Sequence, residues 1–126
     1  MWQLRAGVIA ISLIVSSAAP SEEFKITVLY SQPKSAEEFD KYYFGKHMPM
    51  VYALNQLKRV EVARAQPAPD GSPSPYYIVT ELWFESPEIF KSVAATPEWK
   101  AVVADVANFA PPGTSTAVVS VVEPKR

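Results

Sequence analysis

Apolar and polar positions alternate from Phe24 to Tyr30, with Phe24, Ile26, Val28 and Tyr30 on one side and Lys25, Thr27 and Leu29 on the other. That period and its β-branched content predict a strand. Pro33 breaks the pattern, and Ser35 followed by Glu38 is a capping box, so a helix starts there. Its apolar stripe runs through Phe39, Tyr43, Met50 and Leu54, with His47 on the same line. Pro49 falls inside this stripe and is expected to push Met48 away from helical angles. The expectation is a first helix ending near Lys46 or His47 and a short second one from Pro49 to about Leu57.

Val60, Val62 and Arg64 alternate with Glu61, Ala63 and Ala65 as a second strand. The following stretch, Gln66 to Pro75, is rich in proline and contains the turn Asp70-Gly71, which predicts an irregular surface loop. Tyr76 to Phe84 is almost wholly aromatic and β-branched, the strongest strand in the chain. Ser86-Pro87 and Thr96-Pro97 each read as an N-cap with proline at the first helical position. They open a helix to about Val93 and another from Glu98 to Ala107, closed by Pro111, Pro112 and Gly113. Thr116 to Glu123 is the last strand.

The order β-α-β-β-α-β predicts an α+β, ferredoxin-like domain: one four-stranded antiparallel sheet with helices on one face. Strands such as Tyr76–Phe84 and Thr116–Val122 are apolar on both alternating faces, whereas a solvated face should be more polar. Burial of the helix-free face by a second copy, a homodimer, follows from that pattern.

The first residues are a different kind of segment. Arg5 supplies a positive charge, Ala6–Val15 is an uncharged apolar run, and Ser16, Ser17, Ala18 and Ala19 are small. This is the pattern of a secretory signal peptide over residues 1–18, cleaved after Ala18, which makes the mature protein periplasmic or secreted. The run is short for a bilayer span, so no stable membrane span is expected after cleavage; a retained N-terminal anchor is the alternative.

Composition narrows the chemistry. The 126 residues carry 12 Lys and Arg against 13 Asp and Glu, a net charge of −1, which argues against a nucleic-acid partner. The absence of cysteine and the single histidine exclude disulfides, thiolate zinc sites and multi-histidine metal sites, so no metal is expected. The four glycines are not clustered and form no phosphate-binding loop.

His47 is the leading candidate for chemistry, against the ordinary alternative of a packed core histidine. Placed at a helix end made by Pro49, it would face unpaired carbonyls that favour the imidazolium, poising it as acid or base. Tyr43 lies one turn earlier, and Asp105 is a candidate to orient a histidine or accept a proton. Asn108 shares a helix face with Asp105, or simply terminates that helix. Tyr30, Tyr42, Tyr43, Tyr52, Tyr76 and Tyr77 are candidates to line a cavity or to fill a small core. Glu81 interrupts an apolar strand and is expected to line a pocket or to pair with Arg64.

Lys25–Tyr30, Tyr42-Tyr43 followed by His47-Met48-Pro49-Met50-Val51, and Asp105–Phe109 together resemble the EthD-like family, named for ethyl tert-butyl ether degradation. The resemblance covers about residues 24–123 and implies a dimeric α+β barrel. Relatives in that superfamily include aromatic polyketide monooxygenases, cyclases, lactone isomerases and haem-degrading enzymes, several with a ligand cavity between helices and sheet. By that resemblance His47, Tyr43 and Asp105 are the catalytic candidates, and Tyr30 and Asn108 the ligand contacts. The implied function is a small cofactor-independent enzyme of oxidoreductase, lyase, isomerase or cyclase type. Its partner would be a small hydrophobic carbonyl or aromatic molecule, with His47 as acid and base. A non-catalytic ligand-binding or accessory protein is the alternative, and a haem protein with His47 as axial ligand a third. The leader separates this chain from family members expected in the cytoplasm and argues against direct service to a cytoplasmic monooxygenase.

Overall fold

The computed structural model describes Gly7 and residues 22–126, so the expected leader over residues 1–18 lies outside the described residues but for Gly7. Four strands, β1 (Phe24–Ser31), β2 (Arg59–Arg64), β3 (Tyr76–Phe84) and β4 (Ser115–Val121), make one antiparallel sheet in the order β2-β3-β1-β4. The helices are α1 (Ala36–Tyr42), α2 (Met48–Tyr52), α3 (Pro87–Ala94) and α4 (Pro97–Asp105), and they cover one face. This is the ferredoxin-like architecture expected from the order of elements. Among the described residues, no helix is long and apolar enough to cross a membrane.

Helix starts follow the local signals. Ser35, Ser86 and Thr96 sit in extended backbone and accept the N–H of Glu38, Ile89 and Trp99 respectively. Pro87 and Pro97 take the first turn, where no N–H is missed.

The middle of the first helical segment departs from expectation. Pro49 does not break it, and Met48 keeps helical angles (φ −62°, ψ −36°). Tyr43–His47 instead forms a π turn joining α1 to α2, with the Met48 N–H reaching back to the Tyr43 carbonyl. The extra residue in this wider turn starts a new regular segment at Met48, so Pro49 falls where its missing N–H costs nothing. The same insertion shifts the phase of the buried stripe. His47 and Met48 are both buried, followed by Val51 and Leu54, while Met50 is only half-buried. The segment ends at Tyr52 rather than near Leu57, and Gln56 adopts a left-handed φ of 63° that no right-handed helix can contain.

The core lies between helices and sheet, built on Ile26, Ile78, Leu82 and Phe84 from the strands and Phe39, Tyr43, Met48, Val51, Val93 and Val102 from the helices. Each such side chain contributes roughly 1.5–3 kcal/mol on burial. A bulge in β3 opposite Tyr30/Ser31 adds one residue, Tyr77, which packs edge-on against Phe39 and donates to Asp40 at 2.8 Å.

The helix-free face is less apolar than the strand sequences suggested. Trp83 on β3 is flanked by Lys25 on β1 and Arg59 on β2, whose cationic groups lie 4.7 and 4.2 Å from its ring centre. Glu81 binds Lys25 at 2.9 Å and not Arg64. Arg64 lies on the other face of the sheet and pairs with Asp40 at 2.9 Å. Leu29, Val79 and Val118 complete this face around the charges. Trp83 Nε1 is buried and has no acceptor among the described residues.

Candidate functional site

The site is assembled where the π turn meets the end of α4. His47 is 3% exposed and held in the helix interior rather than at the free helix end expected from Pro49. Its ring packs against Phe109 (4.6 Å between centres) and lies nearly parallel to Tyr43 (5.6 Å, 25°). Its Nδ1–H donates to Asp105 Oδ2 at 2.9 Å. The remaining oxygen of that carboxylate, Oδ1, accepts from the Tyr42 hydroxyl at 2.6 Å and from the Asn108 carboxamide at 3.0 Å. A 3-10 turn over Val106–Asn108 continues α4 and brings Asn108 back to Asp105.

These contacts decide the protonation states. Burial pushes the His47 pKa below its ordinary 6.5 and outweighs the opposing pull of Asp105. Burial would raise Asp105, but the hydrogen bonds from Tyr42, Asn108 and His47 outweigh it and hold the carboxyl below its usual 3.8. A neutral imidazole therefore faces an ionised carboxylate. Donation from Nδ1 fixes the tautomer with a lone pair on Nε2, and the expected imidazolium is corrected to a neutral imidazole. Among the described residues Nε2 has no hydrogen-bond partner and is not sealed from solvent.

His47 lines an inner cavity of about 320 Å³ between helices and sheet. Its walls are mainly apolar, from Ile26, Val28, Met48, Val51, Leu82 and Val102, with Tyr30, Tyr43 and Thr80 as polar neighbours. The Tyr43 hydroxyl bonds Thr80 Oγ1, and burial pushes the phenol up to about 12. Tyr30 is 2% exposed, lines the cavity, and its hydroxyl has no hydrogen-bond partner among the described residues.

Of the five residues selected from sequence, the structure joins His47, Asp105 and Asn108 in one hydrogen-bonded chain and sets the Tyr43 and Tyr30 rings beside it. Tyr43 does not orient the imidazole through its hydroxyl. Tyr42 is the phenol that reaches Asp105, and helical spacing favoured its neighbour because the π turn was not foreseen. Thr80 and Phe109 were also missed, since only the sheet register and the turn after α4 bring them there. Among the described residues, no three of His, Cys, Asp and Glu gather as a metal-binding group.

Comparison with known proteins adds a family context. Residues 31–113 match the EthD domain model. An 11.0 kDa protein from the thcB-thcC intergenic region of Rhodococcus erythropolis is 34% identical over 92 residues, covering 73% of this chain and 88% of that protein. The crystal structure of an EthD family protein from Bacillus halodurans superposes with TM-score 0.72 at 28% identity, covering 78% of this chain and 96% of that one. The cofactor-independent oxygenase SnoaB of Streptomyces nogalater shares the fold at TM-score 0.61 and 12% identity, over 83% and 97% of the two chains. A dimeric ferredoxin-like protein from Thermobifida fusca does so at TM-score 0.60 and 12% identity, over 84% and 96%.

Proposed function

This chain belongs to the EthD family, and from that premise we propose that it is a small cofactor-independent enzyme acting on an apolar carbonyl or aromatic compound bound in the inner cavity. The observation that carries the reading is His47: buried, held neutral, with Nδ1 committed to Asp105 and Nε2 free of any partner among the described residues. Nε2 accepts a proton from the carbon beside the substrate carbonyl, and the electrons of that C–H bond move onto the carbonyl oxygen as an enolate. Asp105 pairs with the resulting imidazolium, and the hydroxyl of Tyr30, which lines the same cavity, donates to the enolate oxygen. Return of the proton from Nε2 to carbon closes an isomerisation or exchange cycle with all protons accounted for.

The test is deuterium uptake from D2O into aromatic ketones and 1,3-diketones, followed by NMR. Uptake with the wild type and its loss in His47→Gln is the expected result. Ligand binding without uptake in either protein would overturn the enzyme and leave the accessory, ligand-binding reading.

Two further features belong to the same reading. The helix-free face pairs with that of a second copy, supported by the apolar residues there, by the unpartnered Trp83 Nε1 and by the dimeric ferredoxin-like relative. The protein is exported with loss of residues 1–18; an intact mass beginning at Ala19 in an exporting host is expected, and a mass retaining Met1 would contradict it.

A further inference from the structure

A second cavity, about 610 Å³, is lined by Tyr30, Phe39, Tyr42, Asn108 and Phe109, with Lys34 and Glu38 among its other residues, and two of these, Tyr42 and Asn108, donate to Asp105. We infer that this outer cavity is a second ligand site, for a neutral aromatic carbonyl compound, whose occupancy is transmitted to His47 through the Asp105 carboxylate.

The ligand class follows from the lining. Tyr30, Phe39, Tyr42 and Phe109 form a cluster of mutually packed rings that offers faces and edges to an aromatic guest. Lys34 and Glu38 bring opposite charges, so the lining has no net preference for an ion. Asn108 gives Asp105 one of its two carboxamide protons and keeps the other, which suits a carbonyl oxygen. Tyr30 lines both cavities.

The transmission follows from the carboxylate. Both outer donors bond Oδ1, while Oδ2 holds His47 Nδ1. A carbonyl that draws the Asn108 or Tyr42 donor away leaves more negative charge on Asp105, and the imidazolium beside it becomes easier to form. Among the described residues, Tyr43 stacks on the imidazole and Tyr42 reaches it through Asp105. Lys46 lies 5.4 Å from the Tyr42 ring centre. Asp105 is the charged group bonded to the imidazole.

The inference goes beyond the proposed reaction and needs no turnover to test it. His47 is the only histidine in the sequence, so its ring resonances report its titration without ambiguity. Acetophenone is added to the full chain while the His47 midpoint and intermolecular NOEs are recorded. Contacts to the Ala110 and Thr114 methyls of the outer cavity are expected, with an upward displacement of the His47 midpoint. Asn108→Ala should keep those contacts and reduce the displacement. Contacts confined to Val51 and Ala117 of the inner cavity, or an unmoved midpoint with the outer cavity filled, would overturn the inference. Failed deuterium uptake with this response intact would remove the proposed reaction alone.

Discussion

Asp105 holds the imidazole of His47 across 58 positions of sequence, with Oδ2 and Nδ1 2.9 Å apart and both side chains largely out of water. A carboxylate in such a place is tolerable because Tyr42 and Asn108 satisfy its other oxygen. The pair also has a direction: the proton stays on histidine Nδ1, and the charge stays on the carboxylate.

The His47 titration midpoint is therefore expected below 6.5 in the folded protein. Asp105→Asn removes the group that raises it and leaves the burial that lowers it, so the midpoint should fall further. Proton NMR across the acid range checks this, and a wild-type midpoint above 6.5 would contradict the neutral-base assignment.

Stability should fall on acidification in two stages. Since the folded chain holds His47 below 6.5, the unfolded chain takes up that proton first as pH drops. Stability then declines below about pH 6.5 and levels off once folded His47 is itself protonated. Asp105 is shifted down, so its contribution is present above 3.8 and is lost as pH falls through its lower folded value. Urea midpoints at pH 7.5 and 5.5 should differ in the wild type and differ less in His47→Gln.

Tyr43→Phe removes a fully buried hydroxyl and strands its partner Thr80 Oγ1. A loss of about 1–3 kcal/mol is expected from denaturant unfolding. The His47 midpoint should change little, because Tyr43 contacts that ring through its face and not its hydroxyl. A large displacement would mean the hydroxyl is coupled to the site after all.

Gly45 lies in the π turn with ordinary helical handedness, and a methyl group there would meet nothing within 4 Å. Gly45→Ala should stabilise the fold by about 0.5–1 kcal/mol by restricting the unfolded chain. A destabilised variant would show that the wide turn depends on glycine flexibility.

Val118 stands half-exposed on the helix-free face, paired across the sheet with Thr27. Under the proposed pairing of helix-free faces, the wild type is expected to sediment as a dimer and Val118→Lys as a monomer with unchanged circular dichroism. A monomeric wild type would contradict the pairing.

The sequence alone determined the fold, because the information it needs is local. Alternation in Phe24–Tyr30 and Tyr76–Phe84, the caps at Ser35, Ser86 and Thr96, and the prolines beside them act within a few residues, and each element formed where these signals stand. His47 and Asp105 were legible as candidates for a related reason: polar groups in apolar surroundings stand out in one dimension. Their mutual arrangement did not. Pro49 looked like a break because its cost is judged against a regular helix, and only the packed segment shows a π turn absorbing it. That turn set Tyr42 rather than Tyr43 on Asp105, and burial rather than a helix end fixed the charge of His47. Helical phase, sheet register and desolvation sum over distant parts of the chain, and for that reason the site was decided only when the tertiary structure closed around it.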